Sequence, residues 1–412
     1  HHLLLLGSRL TVPSPRVLPT TISSCAPSGL YSSRLIAVVF LLIFRPVSCY
    51  CYPSARWSPL HKKTSCRQIV PLPMMDTPNK SSPSRTSSRR RTMSMGGPLT
   101  VEDLLDGKLP PEKKVKELVL KAAQILSELP TLVEIEVPLG STLHVVGDIH
   151  GQLPELRTVL EVCGNPVPGQ NILIFNGDFV DRGSQSTEVL LTMFALMVQS
   201  PKAVFLNRGN HETRAMNRAY GFEEEVAFKY SSGLFETIQY AFSQLPLVYV
   251  INKSVMITHG GLPGRPGVRL DDIKAIQRDP NKEPCGLAHD LLWADPCAEN
   301  GLHPSPRGPG ICLFGPDVTA QFCRDNNLSC IIRSHEVAMH GYHWQRGGRC
   351  CTVFSAANYV GRSGNLGAVC HMKPQANGRI EVGDLEFTQY AGARMPALSS
   401  WRAVPARERS RL

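Results

Sequence analysis

A chain of 412 residues with a hydrophobic content of 42% has ample length for one large domain, or two ordinary ones, around a real core. Its net charge of +10 is unevenly spread: of 44 Lys+Arg, 13 lie in residues 1–100 beside the lone acid Asp76 and 5 lie in 391–412 beside Glu408, leaving 26 basic against 32 acidic residues between. A mildly acidic middle argues against a nucleic-acid-binding core, and thirteen cysteines, odd in number and without a C-x-x-C pair, argue against a disulfide scaffold or a zinc ribbon.

Residues 1–97 are rich in Ser, Pro and Arg, nearly lack acids and show no sustained periodicity, so they read as a basic segment that is disordered or mis-assigned. Leu35 to Phe44 is apolar, but ten residues are too few to span a bilayer and are closer to the apolar part of a signal peptide. The chain opens His1-His2-Leu3 without an initiator methionine, so translated upstream sequence or a gene-model artefact fits at least as well as a targeting signal. Met93 or Met95 would then be the start, and neither secretion nor a membrane partner is expected. Arg85, Arg89, Arg90 and Arg91 among serines and threonines could serve nuclear import or phospho-regulation, but read first as a solvated basic linker.

Order is predicted from residue 98 to residue 390, with a basic tail over 391–412. Thr100 is a capping candidate for the helix that starts at Val101. Val115, Leu118, Val119, Ala122, Ile125, Leu126 and Leu129 recur at three-to-four spacing, which predicts an amphipathic helix over Pro111 to Leu129. Leu132 to Val137 alternates as a strand does. Helices are predicted over Leu153 to Val162, Thr187 to Met197 and Phe222 to Phe242, a Pro/Gly-rich loop over Pro304 to Pro309, and a strand over Gly367 to Met372. Strands and helices alternate, so the fold class is α/β. Cys323, Cys330, Cys350, Cys351 and Cys370 lie in or beside apolar runs, where free cysteine behaves as a small hydrophobe, and a reducing compartment, cytoplasmic or nuclear, is expected.

One stretch organises the rest. From Leu143 to Gly151 a short apolar run ends in a glycine, with Asp148 and His150 just beyond it. The same design recurs: Asn171 to Phe175 runs into Gly177-Asp178, Ala203 to Leu206 into Gly209-Asn210-His211-Glu212, Val255 to Thr258 into His259, and Cys330 to Ile332 into Arg333-Ser334-His335. Five strand-like runs that each deliver Asp, Asn or His suit a metal site better than they suit a core.

Phosphate monoester hydrolysis gives that pattern a chemical reason. Paired divalent metals bind the phosphate, lower the pKa of a bridging water and align attacker with leaving group, and the site wants one carboxylate shared between them. Asp148, His150 and Asp178 can supply one metal; Asp178, Asn210, His259 and His335 can supply the other. Arg182 and Arg307 can clamp phosphoryl oxygens. His211 can protonate a leaving alkoxide, with Asp181 holding its imidazole. Any one of these residues alone is more often a loop or core residue; six metal-compatible residues, all at strand ends beside glycines, are a poor match to chance.

Gly147-Asp148-Ile149-His150-Gly151, Gly177-Asp178-Phe179-Val180-Asp181-Arg182-Gly183, Arg208-Gly209-Asn210-His211-Glu212, His259-Gly260-Gly261, Leu291-Leu292-Trp293-Ala294-Asp295-Pro296 and Ser355-Ala356-Ala357-Asn358-Tyr359 resemble the successive signatures of the phosphoprotein phosphatase family of Ser/Thr phosphatases. The resemblance runs from about Leu99 to Tyr390, and Arg333-Ser334-His335-Glu336 with Phe314-Gly315-Pro316-Asp317-Val318 is most similar to the type 5 branch. It implies a calcineurin-like metallophosphoesterase fold: a central β-sandwich flanked by α-helices, with a dinuclear metal site at strand ends. It implies two divalent metal ions, manganese first with iron or zinc as alternatives, on Asp148, His150, Asp178, Asn210, His259 and His335. It also implies Asp181 and His211 as the acid pair, Arg182 and Arg307 as phosphate clamps, and Tyr359 lining the site. Substrates would be phosphoserine and phosphothreonine in proteins, attacked directly by a metal-bridging hydroxide without a phosphoenzyme, with a regulatory or targeting subunit as a further partner. Ala357 stands where the family has proline, Val360 where it has cysteine, and the Arg307 to Phe314 loop is one residue longer, which makes Arg333 the fallback for Arg307. The competing readings are a small-molecule enzyme of the same metal chemistry, such as a dinucleoside polyphosphate hydrolase, and an inactive phosphoprotein-binding scaffold.

Overall fold

The computed structural model describes residues 100–392 together with the two-residue strand Arg67–Gln68. The readings placed on residues 1–97 and on the tail from 391 otherwise lie outside the described residues. Two six-stranded sheets dominate. The first runs Arg67–Gln68, Leu385–Tyr390, Gly367–Met372, Thr142–Val146, Asn171–Phe175, Val204–Leu206, and the second runs Tyr342–Trp344, Cys350–Val353, Cys330–Arg333, Val255–Thr258, Val248–Ile251, Leu132–Ile135.

The period of two along each strand divides the core. Leu143, Val145, Ile172 and Ile174 of the first sheet share a buried layer with Tyr249, Ile251, Val255, Ile257, Cys330 and Ile332 of the second. Their neighbours Val146, Leu173, Phe175, Val204 and Leu206 face the opposite way, into a layer with the helices over 101–245. Val248, Val250, Met256 and Ile331 do the same on the outer face of the second sheet, against Leu291, Leu292 and Phe322. Strands buried on both faces read as continuous apolar runs, and each buried Ile, Val or Leu contributes about 1.5–3 kcal/mol. The result is helix, sheet, sheet, helix: the sandwich flanked by helices that the resemblance implied.

Strand direction then positions the site. Thr142–Val146, Asn171–Phe175 and Val204–Leu206 are mutually parallel, as are Val255–Thr258, Cys330–Arg333 and Cys350–Val353 in the second sheet. Carboxyl ends therefore gather along one edge of each sheet, and loops leaving such ends are where open sheets place their ligands.

Thr100 caps the helix Val101–Leu105, its side chain accepting from the Asp103 amide at 3.1 Å. The helix over Glu112–Glu128 buries Val115, Val119, Ala122 and Leu126 as the spacing requires. One expectation fails: Phe222 to Phe242 is two helices, Phe222–Lys229 and Ser232–Ser243. Ser231 starts the second by accepting from the Leu234 amide at 3.2 Å, so an N-cap serine inside a helical pattern ended one helix and began another. The short strands Tyr342–Trp344 and Cys350–Val353 carried too little periodicity to be read, and the amphipathic helix Pro316–Asp325, which buries Thr319, Phe322 and Cys323, also went unread. The nine described cysteines are all free. Among the described residues no helix is long and apolar enough to cross a membrane.

A histidine pair ties the two central strands of the first sheet together. His144 and His371 are direct cross-strand partners with their Nδ1 atoms 2.6 Å apart. The Asn171 amide nitrogen donates to the carbonyls of Cys163 and Asn165, so its oxygen faces His144 Nε2 at 2.5 Å and makes that nitrogen a donor. His371 Nδ1–H must then donate to His144 Nδ1, and its Nε2 accepts from Thr388, 2.8 Å away. Burial, with His144 and Lys373 nearby, pushes His371 down to about 4, and burial likewise lowers His144. A histidine with a depressed folded pKa leaves stability intact above the unfolded value of about 6.5 and erodes it as pH falls towards the folded value. The urea midpoint is expected to fall between pH 6.5 and 4, and His371→Gln should flatten that slope relative to the wild-type chain.

Candidate active site

Every residue that sequence reasoning assigned to the metals reaches one cleft. Asp148 and His150 follow the strand Thr142–Val146, Asp178 follows Asn171–Phe175, Asn210 follows Val204–Leu206, His259 follows Val255–Thr258 and His335 follows Cys330–Arg333. All six are buried. Asp178 sits between two sets: its Oδ2 lies 3.4 Å from His150 Nε2, and its Oδ1 lies 3.2 Å from His259 Nε2. Donor atoms of Asp178, His259 and His335 fall within 4.8 Å of one another, as do those of His150, Asp178 and His211. Asp148 Oδ2 is 3.6 Å from His150 Nε2.

The backbone around these side chains is fixed from behind. His259 Nδ1 donates to the Asn176 carbonyl at 2.8 Å and His150 Nδ1 to the Val180 carbonyl at 3.0 Å, which turns each Nε2 lone pair into the cleft. The Asn210 side-chain oxygen faces only acceptors: His335 Nδ1 at 2.9 Å, His259 Nε2 at 3.0 Å and both Asp178 oxygens at 3.2 Å. Turning the amide would relieve this, and so would a cation among the lone pairs, since ligands about 2.0–2.2 Å from a metal lie about 3 Å from each other. The fully buried His335 Nε2 finds no partner in the protein. The donors thus fit a borderline divalent cation.

Electrostatics agree with that fit. Burial opposes ionisation of Asp178, yet His259, His211 and His150 hold its carboxyl well below the usual range. Burial likewise opposes charging of His259, but Asp178 and Asp148 raise it to about 9, so its Nε2 carries a proton that a bound divalent cation has to displace. Burial, His259, Arg307 and Arg333 push His335 far down, which keeps its imidazole neutral as a metal ligand must be.

Beside the six lies a second group. His211 Nδ1 is 2.9 Å from Asp181 Oδ2, both buried, and the His211 amide donates to Asp178 Oδ1 at 2.9 Å. Arg182 is exposed and its guanidinium lies 3.7 Å from the centre of the Tyr220 ring. Tyr359 is half-buried, with its ring 5.1 Å from that of His150. Arg307 pairs through Nε with Asp295 and donates through Nη2 to the His335 carbonyl at 3.2 Å, so it stands at the cleft. Arg333 is no alternative to it. It is wholly buried, and its donors go to the Gly260 and Ala294 carbonyls, Glu336 and Asp295.

Known proteins can now be set beside this cleft. A calcineurin-like phosphoesterase family model matches residues 141–339. The chain is 46% identical over 270 residues to serine/threonine-protein phosphatase 5 of Arabidopsis thaliana, covering 65% of this chain and 49% of that protein. It is 47% identical over 257 residues to the Homo sapiens protein of the same name, covering 62% and 51%. A solved protein serine/threonine phosphatase from Saccharomyces cerevisiae, with similarity to human phosphatase PP5, matches with a TM-score of 0.66 at 40% identity, covering 71% of this chain and 94% of that one. This chain belongs to the Ser/Thr phosphoprotein phosphatase family. It spans about half the length of these two curated relatives.

Three residues that shape this cleft went unread in the sequence. Glu212 is fully buried and accepts from the amides of Asp178 at 2.8 Å, Phe179 at 2.9 Å and Gly209 at 2.9 Å, stitching together two of the loops that carry metal-binding candidates. Burial and the Asp178 carboxylate push it up to about 8. Asn217 donates to Asp181 Oδ2 at 2.9 Å, and Gln239 donates to Asn217 at 2.7 Å. Glu212 stood in the signature and its carboxylate was the available clue; nothing local marked the two amides. Gly209 has no room for a side chain, because a Cβ there would press on Asp178 Oδ1 and on the Asp178 amide. Gly209→Ala is therefore expected to leave a folded chain that retains at most half the manganese of the wild type, measured by elemental analysis after dialysis against micromolar metal.

Proposed function

We propose that this chain is a metal-dependent protein phosphatase acting on phosphoserine and phosphothreonine monoesters in proteins. The observation that carries the reading is Asp178, lying between two histidine sets with the Asp181-held His211 alongside. Asp148, His150 and Asp178 would hold one divalent cation and Asp178, Asn210, His259 and His335 the other, with manganese the first choice and iron or zinc suited to the same donors. When bound, such a pair neutralises the phosphate dianion and makes a water acidic enough to attack at neutral pH.

The chain's own residues do the rest. Arg182, exposed at the rim, presents its guanidinium to phosphoryl oxygens, and Arg307, whose Nε and Nη2 are taken by Asp295 and the His335 carbonyl, offers its Nη1. His211 gives Nδ1–H to Asp181, which leaves Nε2 as the nitrogen that delivers a proton to the departing seryl or threonyl oxygen. Tyr359, against His150, narrows the cleft on its other side. The free cysteines accord with a reducing compartment, cytoplasmic or nuclear.

Asp178→Asn is expected to abolish release of phosphate from a phosphoserine peptide with Mn²⁺ present; retained turnover would contradict the shared-carboxylate assignment. The wild-type chain should also hydrolyse that peptide at least a hundredfold faster than a dinucleoside tetraphosphate, the reverse order favouring a small-molecule enzyme. Asp295→Asn, which loosens Arg307 without touching a metal ligand, should raise KM for the peptide about tenfold or more, the cost of a weakened charge-assisted clamp.

A further inference from the structure

We infer that Gln239 is a positioning residue for proton delivery, acting through Asn217 and Asp181 on His211. The inference rests on the reading of His211 as the acid in the proposed reaction. Four residues form an unbroken chain: Gln239 Nε2 donates to Asn217 Oδ1 at 2.7 Å, Asn217 Nδ2 donates to Asp181 Oδ2 at 2.9 Å, and Asp181 Oδ2 lies 2.9 Å from His211 Nδ1. Gln239 lies on the helix Ser232–Ser243 and Asn217 on the helix Arg214–Tyr220, so the chain links two helices to the cleft.

The argument turns on the Asn217 amide, whose two ends are nearly the same shape and opposite in polarity. Its nitrogen serves two acceptors, Asp181 Oδ2 and the His211 carbonyl at 2.7 Å. A reversed amide would set oxygen against both. Asn217 is wholly buried and Gln239 is only 9% exposed, so bulk water is a poor substitute partner for the Asn217 oxygen. Donation from Gln239 therefore secures the orientation in which Asn217 feeds Asp181. The Phe222 amide holds the other Asp181 oxygen at 3.0 Å, and the carboxylate cannot turn away from His211.

In the reaction the bond between phosphorus and the seryl oxygen breaks with its electron pair staying on that oxygen, while the oxygen of water forms the new bond to phosphorus. The proton from His211 Nε2 caps the seryl oxygen, and the proton released by water restores His211. A leaving group that is already a stable anion, such as p-nitrophenolate, needs no such proton. Gln239 should therefore matter for an alkyl phosphate and not for an activated aryl one, a distinction that a merely structural role would not produce.

The test measures kcat and KM with Mn²⁺ on a phosphoserine peptide and on p-nitrophenyl phosphate for the wild-type chain, Gln239→Met, Gln239→Glu and His211→Asn. Gln239→Met, similar in shape without the donor, is expected to lose about fivefold in kcat on the peptide, with KM unchanged and less than twofold lost on the aryl ester. Gln239→Glu, whose carboxylate when ionised presents only acceptors to the Asn217 oxygen, should lose more on the peptide as pH rises. The ratio of peptide to aryl-ester rate does not depend on the folded fraction, so partial misfolding of either variant leaves the outcome readable. If His211→Asn discriminates between the two substrates and neither Gln239 variant does, the inference about Gln239 falls alone. Equal losses on both substrates in His211→Asn remove the acid reading, and the inference with it.

Discussion

The cleft depends on Asp178 holding a backbone conformation that an aspartate rarely adopts. Its φ is +52°, and His150, Asp181, Arg182 and His335 are also in the left-handed region, as are Asn358 and Val360 on either side of Tyr359. Such residues cost on the order of 1–3 kcal/mol each and persist only where the surroundings dictate them. Here the surroundings are the Glu212 carboxyl, which takes the amides on both sides of the Asp178 carbonyl turn, and glycines 177 and 209, whose missing side chains let those loops touch. The sandwich supplies the leverage: strands buried on both faces cannot shift register without repacking both layers at once, so their ends stay where the strain is stored.

That leverage explains why the ligand candidates were legible and their supports were not. An apolar run ending at Gly-Asp or Gly-Asn announces both a strand and the residue it delivers, because the strand and the site are adjacent in sequence. Glu212, Asn217 and Gln239 act across 33, 36 and 22 residues respectively, to Phe179, Asp181 and Asn217, and such contacts leave no local pattern. The same limit misread Arg333. It stood as the fallback for Arg307, but it is the last residue of a strand buried on both faces, so its guanidinium had to find partners inside the protein. The split of Phe222 to Phe242 was legible in principle, as Ser231-Ser232-Gly233 is a cap signature that helical periodicity on both sides concealed.

Asp295 connects the two arginines and gives each a different task. Arg333 binds it at 2.8 Å from below, fully desolvated, and Arg307 binds it from above with about a third of its side chain exposed. Burial opposes the charge on Arg307, but its bonds to Asp295 keep it raised. A buried ion pair of this kind adds little to stability once its desolvation is counted, and removing one partner strands the other. Its value is geometric. Arg333 fixes the carboxylate, the carboxylate fixes Arg307 beside the His335 carbonyl, and a loop carrying Gly308 and Gly310 at positive φ is thereby held to one position at the cleft. A guanidinium on an unanchored loop would lose conformational entropy each time it met an anion; one already pinned by Asp295 would lose less.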